Sequence, residues 1–112
     1  MTCPTLANTA AVIHRQLREH GWTDRLDLQQ VLCVAEEAGE FVGAYRRWVG
    51  MARRTGPRSD VEAELADVVI TAYITADVLG IGLDDAIQEK LAKIFTRGWR
   101  EPSTDNPVDE ET

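Results

Sequence analysis

The chain has 112 residues, enough for one domain with a modest core, and 44% of them are apolar while only 6% are aromatic. A net charge of −7 argues against a surface for nucleic acid polymers, whose phosphates need clustered Lys and Arg. Cys3 and Cys33 offer no disulfide framework and suit a reducing cytoplasm. No basic-then-apolar secretory signal opens the sequence, and the longest apolar stretch, Val68 to Leu79, is too short to span a bilayer and contains Asp77.

Apolar periodicity predicts four helices and no strand. The first runs from Leu6 to His20, with Ala10, Val12, Ile13 and Leu17 at helical spacing, and Gly21 stops it. The second runs from Asp27 to Trp48. Residues 50–58 then carry two Gly, one Pro and three Arg, the signature of a basic loop. Ser59 or Asp60 is the expected cap of the third helix, with Glu62 in its first turn, and Gly80-Ile81-Gly82 ends it. Asp84 is the expected cap of a fourth helix reaching Arg97 or Trp99. Residues 1–100 form the domain. Residues 101–112 are polar, acidic and proline-bearing, and read as a disordered tail.

Two acidic clusters carry the chemistry. Glu36-Glu37-Ala38-Gly39-Glu40 lies on the second helix and Glu64-Leu65-Ala66-Asp67 on the third. Side chains three or four positions apart share a helix face, so Glu37 projects with Glu40 and Glu64 with Asp67, while Glu36 joins at the edge. Counting about 100° per residue, Cys33, Glu40, Ala44 and Trp48 all fall within about 60° of Glu37, an arc of small and apolar neighbours without Lys or Arg. The second cluster opens the run Val68-Val69-Ile70-Thr71-Ala72-Tyr73-Ile74, too apolar for a surface. Converging carboxylates repel unless protons or cations neutralise them, and an oxygen-only donor set points to Mg²⁺ or Mn²⁺.

Glu-Glu-x-x-Glu, a spacer from Phe41 to Ala63, and then Glu-x-x-Asp resembles the paired motif of the all-α nucleoside triphosphate pyrophosphohydrolases, the superfamily of MazG-like proteins, dimeric dUTPases and phosphoribosyl-ATP pyrophosphohydrolase. The wording Glu-Glu-Ala-Gly-Glu and Glu-Leu-Ala-Asp-Val-Val is similar to MazG-like domains, and the resemblance covers about residues 6–100. It implies an all-α, four-helix bundle-like fold that oligomerises through its helices as a homodimer or homotetramer. It also implies Mg²⁺-dependent cleavage of a nucleoside triphosphate between the α- and β-phosphates, giving a monophosphate and pyrophosphate. Matched position by position, Glu37, Glu40, Glu64 and Asp67 are the implied metal ligands. Glu36 and Glu37 are the catalytic candidates, Glu36 through a second metal or the attacking water. The third helix supports assembly independently, because a segment apolar nearly all round needs cover that a lone four-helix chain of this size does not supply.

Lys90, Lys93 and Arg97 share a face of the fourth helix and resemble the family's Lys-rich closing segment, which makes them candidate phosphate contacts; Ile94 stands where the family often has Asn. The loop arginines Arg53, Arg54 and Arg58 are alternative contacts. Trp48 and Trp22 are the candidate base-stacking residues, and His14 and His20 read as structural or exposed. A di-iron bundle would need Glu-x-x-His pairs, which the chain lacks. A phosphoribosyl-ATP pyrophosphohydrolase-like enzyme and a non-catalytic nucleotide-binding helical module are the remaining alternatives.

Overall fold

The computed structural model describes residues 5–99, and among them the chain folds into four α-helices: α1 (Leu6–Glu19), α2 (Leu26–Trp48), α3 (Arg58–Leu79) and α4 (Leu83–Arg97). The expected tail at 101–112 lies outside the described residues. Thr5 caps α1, its hydroxyl accepting the Asn8 amide proton at 3.1 Å. At the other end of α1, Gly21 adopts φ +93°, a left-handed backbone that ends the helix without steric cost. Arg25 takes φ 51°, unusual for a side chain with a Cβ, and turns the chain into α2, where Leu26 is buried at once.

α2 and α3 pack side by side as an αα-hairpin, and α1 lies against α3. The seams are built from small residues: Ala10 of α1, Ala44 of α2, and Thr75 and Ala76 of α3 are buried together with Leu26. Small side chains let the helix backbones approach closely. Two polar links cross the seams. Thr75 Oγ1 shares its proton between Gln30 O (3.1 Å) and Thr71 O (2.7 Å), tying α3 to α2. His14 Nδ1 lies 2.7 Å from Asp77 Oδ2, tying α1 to α3. Arg18 Nε donates to His14 Nε2 at 2.7 Å, which leaves the His14 proton on Nδ1, facing Asp77. His14 is thus structural, and His20 is exposed.

Two sequence expectations need correction. α3 begins at Arg58, with Pro57 as its extended N-cap (ψ 157°) and no side-chain cap, so neither Ser59 nor Asp60 caps it and Arg58 belongs to the helix rather than the loop. Proline fits there because its missing N–H is not needed at a helix start. α4 is preceded by Gly82, not capped by Asp84; Asp84 sits in its first turn and accepts the Tyr73 hydroxyl proton at 2.6 Å. As expected of a helix apolar nearly all round in a single chain, Leu65, Val69, Ile70 and Leu79 of α3 remain exposed. Gly80 (φ +72°) ends α3 and the chain turns by 112° into α4, which buries none of its residues. Its apolar side chains Ile87, Leu91 and Phe95 recur every four residues and stand open, Phe95 at 68% exposure.

Candidate active site

The hairpin brings the two acidic clusters together, as their spacing predicts. One oxygen each from Glu37, Glu40 and Glu64 lie within 4.8 Å of one another. Glu37 and Glu40 are one turn apart on α2, and Glu64 reaches across from α3. Asp67, one turn beyond Glu64, stands outside this trio but near enough for its charge to act on both Glu37 and Glu64. Glu36 is exposed beside the trio; its charge is felt at Cys33, a free thiol held above its ordinary pKa by burial and by Glu36 and Glu37.

The electrostatics of the trio are those of a site short of positive charge. Burial raises the Glu37 pKa, and Glu40, Asp67 and Glu64 raise it further. Glu64 is raised by burial and then by Glu40 and Asp67, with Arg47 alone opposing. Glu37 Oε2 and Glu64 Oε2 are buried with no hydrogen-bond partner. Buried carboxylate oxygens are almost always partnered, because stripping their water costs several kcal/mol when nothing replaces it, on the order of 2–7 kcal/mol for polar groups. Two orphaned oxygens, drawn from facing helices and aimed into one acidic cluster, fit a divalent cation with hard oxygen ligands. Glu37, Glu40 and Glu64 could hold such an ion directly, with Asp67 adjacent.

The remaining candidates are distributed around this centre. Trp48 is half exposed, in edge-to-face contact with Tyr45 (centroids 6.2 Å apart), and carries the Arg58 guanidinium over its ring at 5.9 Å. Arg58 also reaches Glu62 Oε1 at 3.6 Å. Trp22, 55% exposed, borders an open apolar groove with Ile13, Leu17 and His20 at the end of α1. Lys90, Lys93 and Arg97 are all exposed on α4, which does not pack on the α2–α3 hairpin as α1 does. The basic loop is held at several points: Arg46 O accepts the Met51 amide proton at 2.7 Å, Arg46 Nη2 donates to Met51 O at 3.0 Å, and the Gly56 amide donates to Arg47 O at 3.3 Å. Arg54 and Thr55, exposed like Arg53, line with Arg47 a cavity of about 420 Å³ that Arg53 does not border. Arg47 is the residue that the acidic spacing did not single out. Its sequence signal is faint, a second Arg in Arg46-Arg47-Trp48, and only the fold distinguishes it from its neighbour.

Comparison with known proteins agrees with this architecture. Residues 27–99 match the MazG nucleotide pyrophosphohydrolase domain, a span that contains all four candidate ligands. Over 88 residues the chain is 33% identical to the uncharacterized protein YvdC of Bacillus subtilis (strain 168), covering 69% of this chain and 83% of that protein. No solved structure gives a significant match.

Proposed function

This chain belongs to the MazG nucleotide pyrophosphohydrolase family, and we propose that it is a Mg²⁺-dependent enzyme that hydrolyses a nucleoside triphosphate to the monophosphate and pyrophosphate. The observation that carries the reading is the pair of orphaned buried oxygens, Glu37 Oε2 and Glu64 Oε2, within a cluster contributed by two helices. Glu37, Glu40 and Glu64 would hold the metal, with Asp67 completing the set from one turn along α3. A bound Mg²⁺ neutralises phosphate charge and lowers the pKa of a nearby water. The protein's own part is positioning and proton transfer. Glu36 lies outside the trio and within reach of solvent, so it is free to accept the proton of the attacking water. One water is consumed and one phosphoanhydride bond breaks, its electron pair leaving on the pyrophosphate oxygen.

The cations of α4 enter the same reading with assembly. Exposed Ile87, Leu91 and Phe95, together with exposed Leu65, Val69 and Ile70 of α3, give one chain more apolar surface than it covers, and a homo-oligomer buries it. In such an assembly Lys90, Lys93 and Arg97 approach substrate phosphates from a helix that does not close over its own hairpin. Light scattering at low micromolar concentration tests assembly, and a 12.5 kDa particle rules it out. The activity is tested by a panel of ribo-, deoxy- and damaged nucleoside triphosphates with Mg²⁺, scored for pyrophosphate against phosphate. Pyrophosphate from at least one substrate is expected; phosphate as the sole inorganic product rejects the proposed bond cleavage.

A further inference from the structure

Arg47 is a half-buried guanidinium at the edge of an acidic cluster, yet among the described residues it makes no ion pair. Two glycines make room for it. A Cβ on Gly43 would stand 3.3 Å from Arg47 Nη1, so the guanidinium lies back along α2, one turn from Glu40. A Cβ on Gly56 would stand 3.3 Å from Arg47 Cβ and 3.7 Å from Nε, so the returning loop rests on the side chain's stem. The charge of Arg47 is felt at Glu64, but no carboxylate oxygen of the described residues comes within ion-pair distance, so this partly desolvated guanidinium keeps its donors open for an anion. The cavity beside it gains a second guanidinium from Arg54 and a hydroxyl from Thr55, against a single carboxylate, Asp60. Single helical turns connect this cavity to the carboxylates on both sides: Arg47 to Gly43 to Glu40 along α2, and Asp60 to Glu64 along α3.

We propose that the cavity lined by Arg47, Arg54 and Thr55 is the subsite for the pyrophosphate half of the triphosphate, with Arg47 its principal contact. The planar fork of a guanidinium matches two phosphate oxygens at once, which a lysine ammonium does not. The subsite rests on the nucleotide reading above and gives it a direction: the two terminal phosphates lie towards the 49–57 loop, and the nucleoside lies on the other side of the carboxylates. Arg47 then meets the charge that accumulates on the leaving pyrophosphate, a place where a fixed cation favours the transition state over the substrate.

Calorimetry with inorganic pyrophosphate and with a nucleoside monophosphate, each in Mg²⁺ at constant ionic strength, separates the subsite from the metal centre. Arg47→Gln is expected to weaken pyrophosphate binding by about tenfold or more while leaving monophosphate binding unchanged, and Arg47→Lys to recover only part of the loss. Circular dichroism of each variant checks the fold, and Arg47→Lys alone is decisive if Arg47→Gln does not fold. Equal pyrophosphate affinity in wild type and variant, an equal loss for the monophosphate, or no pyrophosphate binding by the wild type overturns the subsite. If the wild type releases pyrophosphate from a triphosphate and the variants match its KM and kcat, the subsite fails alone. If no triphosphate is turned over but pyrophosphate binding still depends on Arg47, the subsite stands and the hydrolytic reading fails.

Discussion

The helix seams treat polar groups in two opposite ways. Around Thr75 and His14 every cross-helix polar contact is completed within the chain: a hydroxyl to a carbonyl, and an arginine to an imidazole to a carboxylate. Further along the α2–α3 seam, around Glu37 and Glu64, like charges face one another and two buried oxygens have no partner. A polar group in a seam costs stability unless satisfied, and the first region shows that this sequence is able to satisfy its own. On the function proposed above, the second region is left open for a ligand from outside. On that reading the completed contacts set stability and the incomplete ones set function.

The strongest way to break that comparison is to remove one incomplete group. Glu37→Gln keeps the size and removes the charge, so turnover should fall by more than about a hundredfold, the scale on which even residues behind metal ligands act. Circular dichroism should be unchanged. A variant close to wild-type rate would remove Glu37 from the ligand set.

A cation that binds only the folded chain comes next in size. At a hundredfold excess over Kd it contributes about 2.7 kcal/mol, and about 1 kcal/mol moves the Tm of a domain this small by roughly 4–8 °C. Millimolar Mg²⁺ should thus raise Tm by several degrees beyond matched NaCl, and Glu64→Gln should blunt the rise. Should NaCl reproduce the whole effect, screening of the −7 charge suffices and the carboxylates are not a metal site.

Protons should partly replace the cation. Burial and neighbouring carboxylates raise the folded-state pKa of Glu37 and of Glu64 above the ordinary value of 4.5. A raised pKa contributes stability that is complete below the unfolded value and is lost as pH rises through the folded value. In EDTA, Tm is accordingly expected to climb as pH falls from 7 towards 5, and Glu64→Gln to flatten that climb. In saturating Mg²⁺ the trend should reverse, because protons compete for the same oxygens. An identical pH profile with and without Mg²⁺ would count against a shared site.

The smallest effect belongs to the completed region. Thr75→Val keeps the branched shape and deletes the hydroxyl, for a cost of about 1 kcal/mol. Its Mg²⁺-induced Tm shift should equal that of wild type. A shift lost along with the hydroxyl would show that the two regions are not independent.

Much of the candidate site was readable in advance because it is written in helical spacing. Glu37 with Glu40 and Glu64 with Asp67 are separated by three residues, and periodicity places each pair on one face before any packing is known. Arg47 was not readable. What sets it apart from Arg46 is the space left by Gly43 and Gly56, and Gly56 comes near it only because backbone hydrogen bonds fold the loop over the end of α2. The caps failed for a local reason: Ser59 and Asp60 have the right chemistry, but Pro57 has the extended backbone that starts α3 two positions earlier. The course of α4 follows from the dihedrals of Gly80 and its neighbours, which apolar periodicity does not encode.

The hairpin has a kinetic consequence. The trio and Asp67 come from two consecutive helices joined by one loop, so the groups that meet at the site are nearer along the chain than His14 and Asp77, which lie 63 positions apart. Contacts of that kind close quickly, since short loops lose little entropy on closure, and local topology favours fast folding. The ligand set should be assembled once α2 and α3 have zipped together, before α1 docks and while α4 is still unplaced. Binding energy from a cation would then be available to the folding chain early, and hydrogen exchange would show the carboxylate end of the hairpin becoming protected ahead of either outer helix.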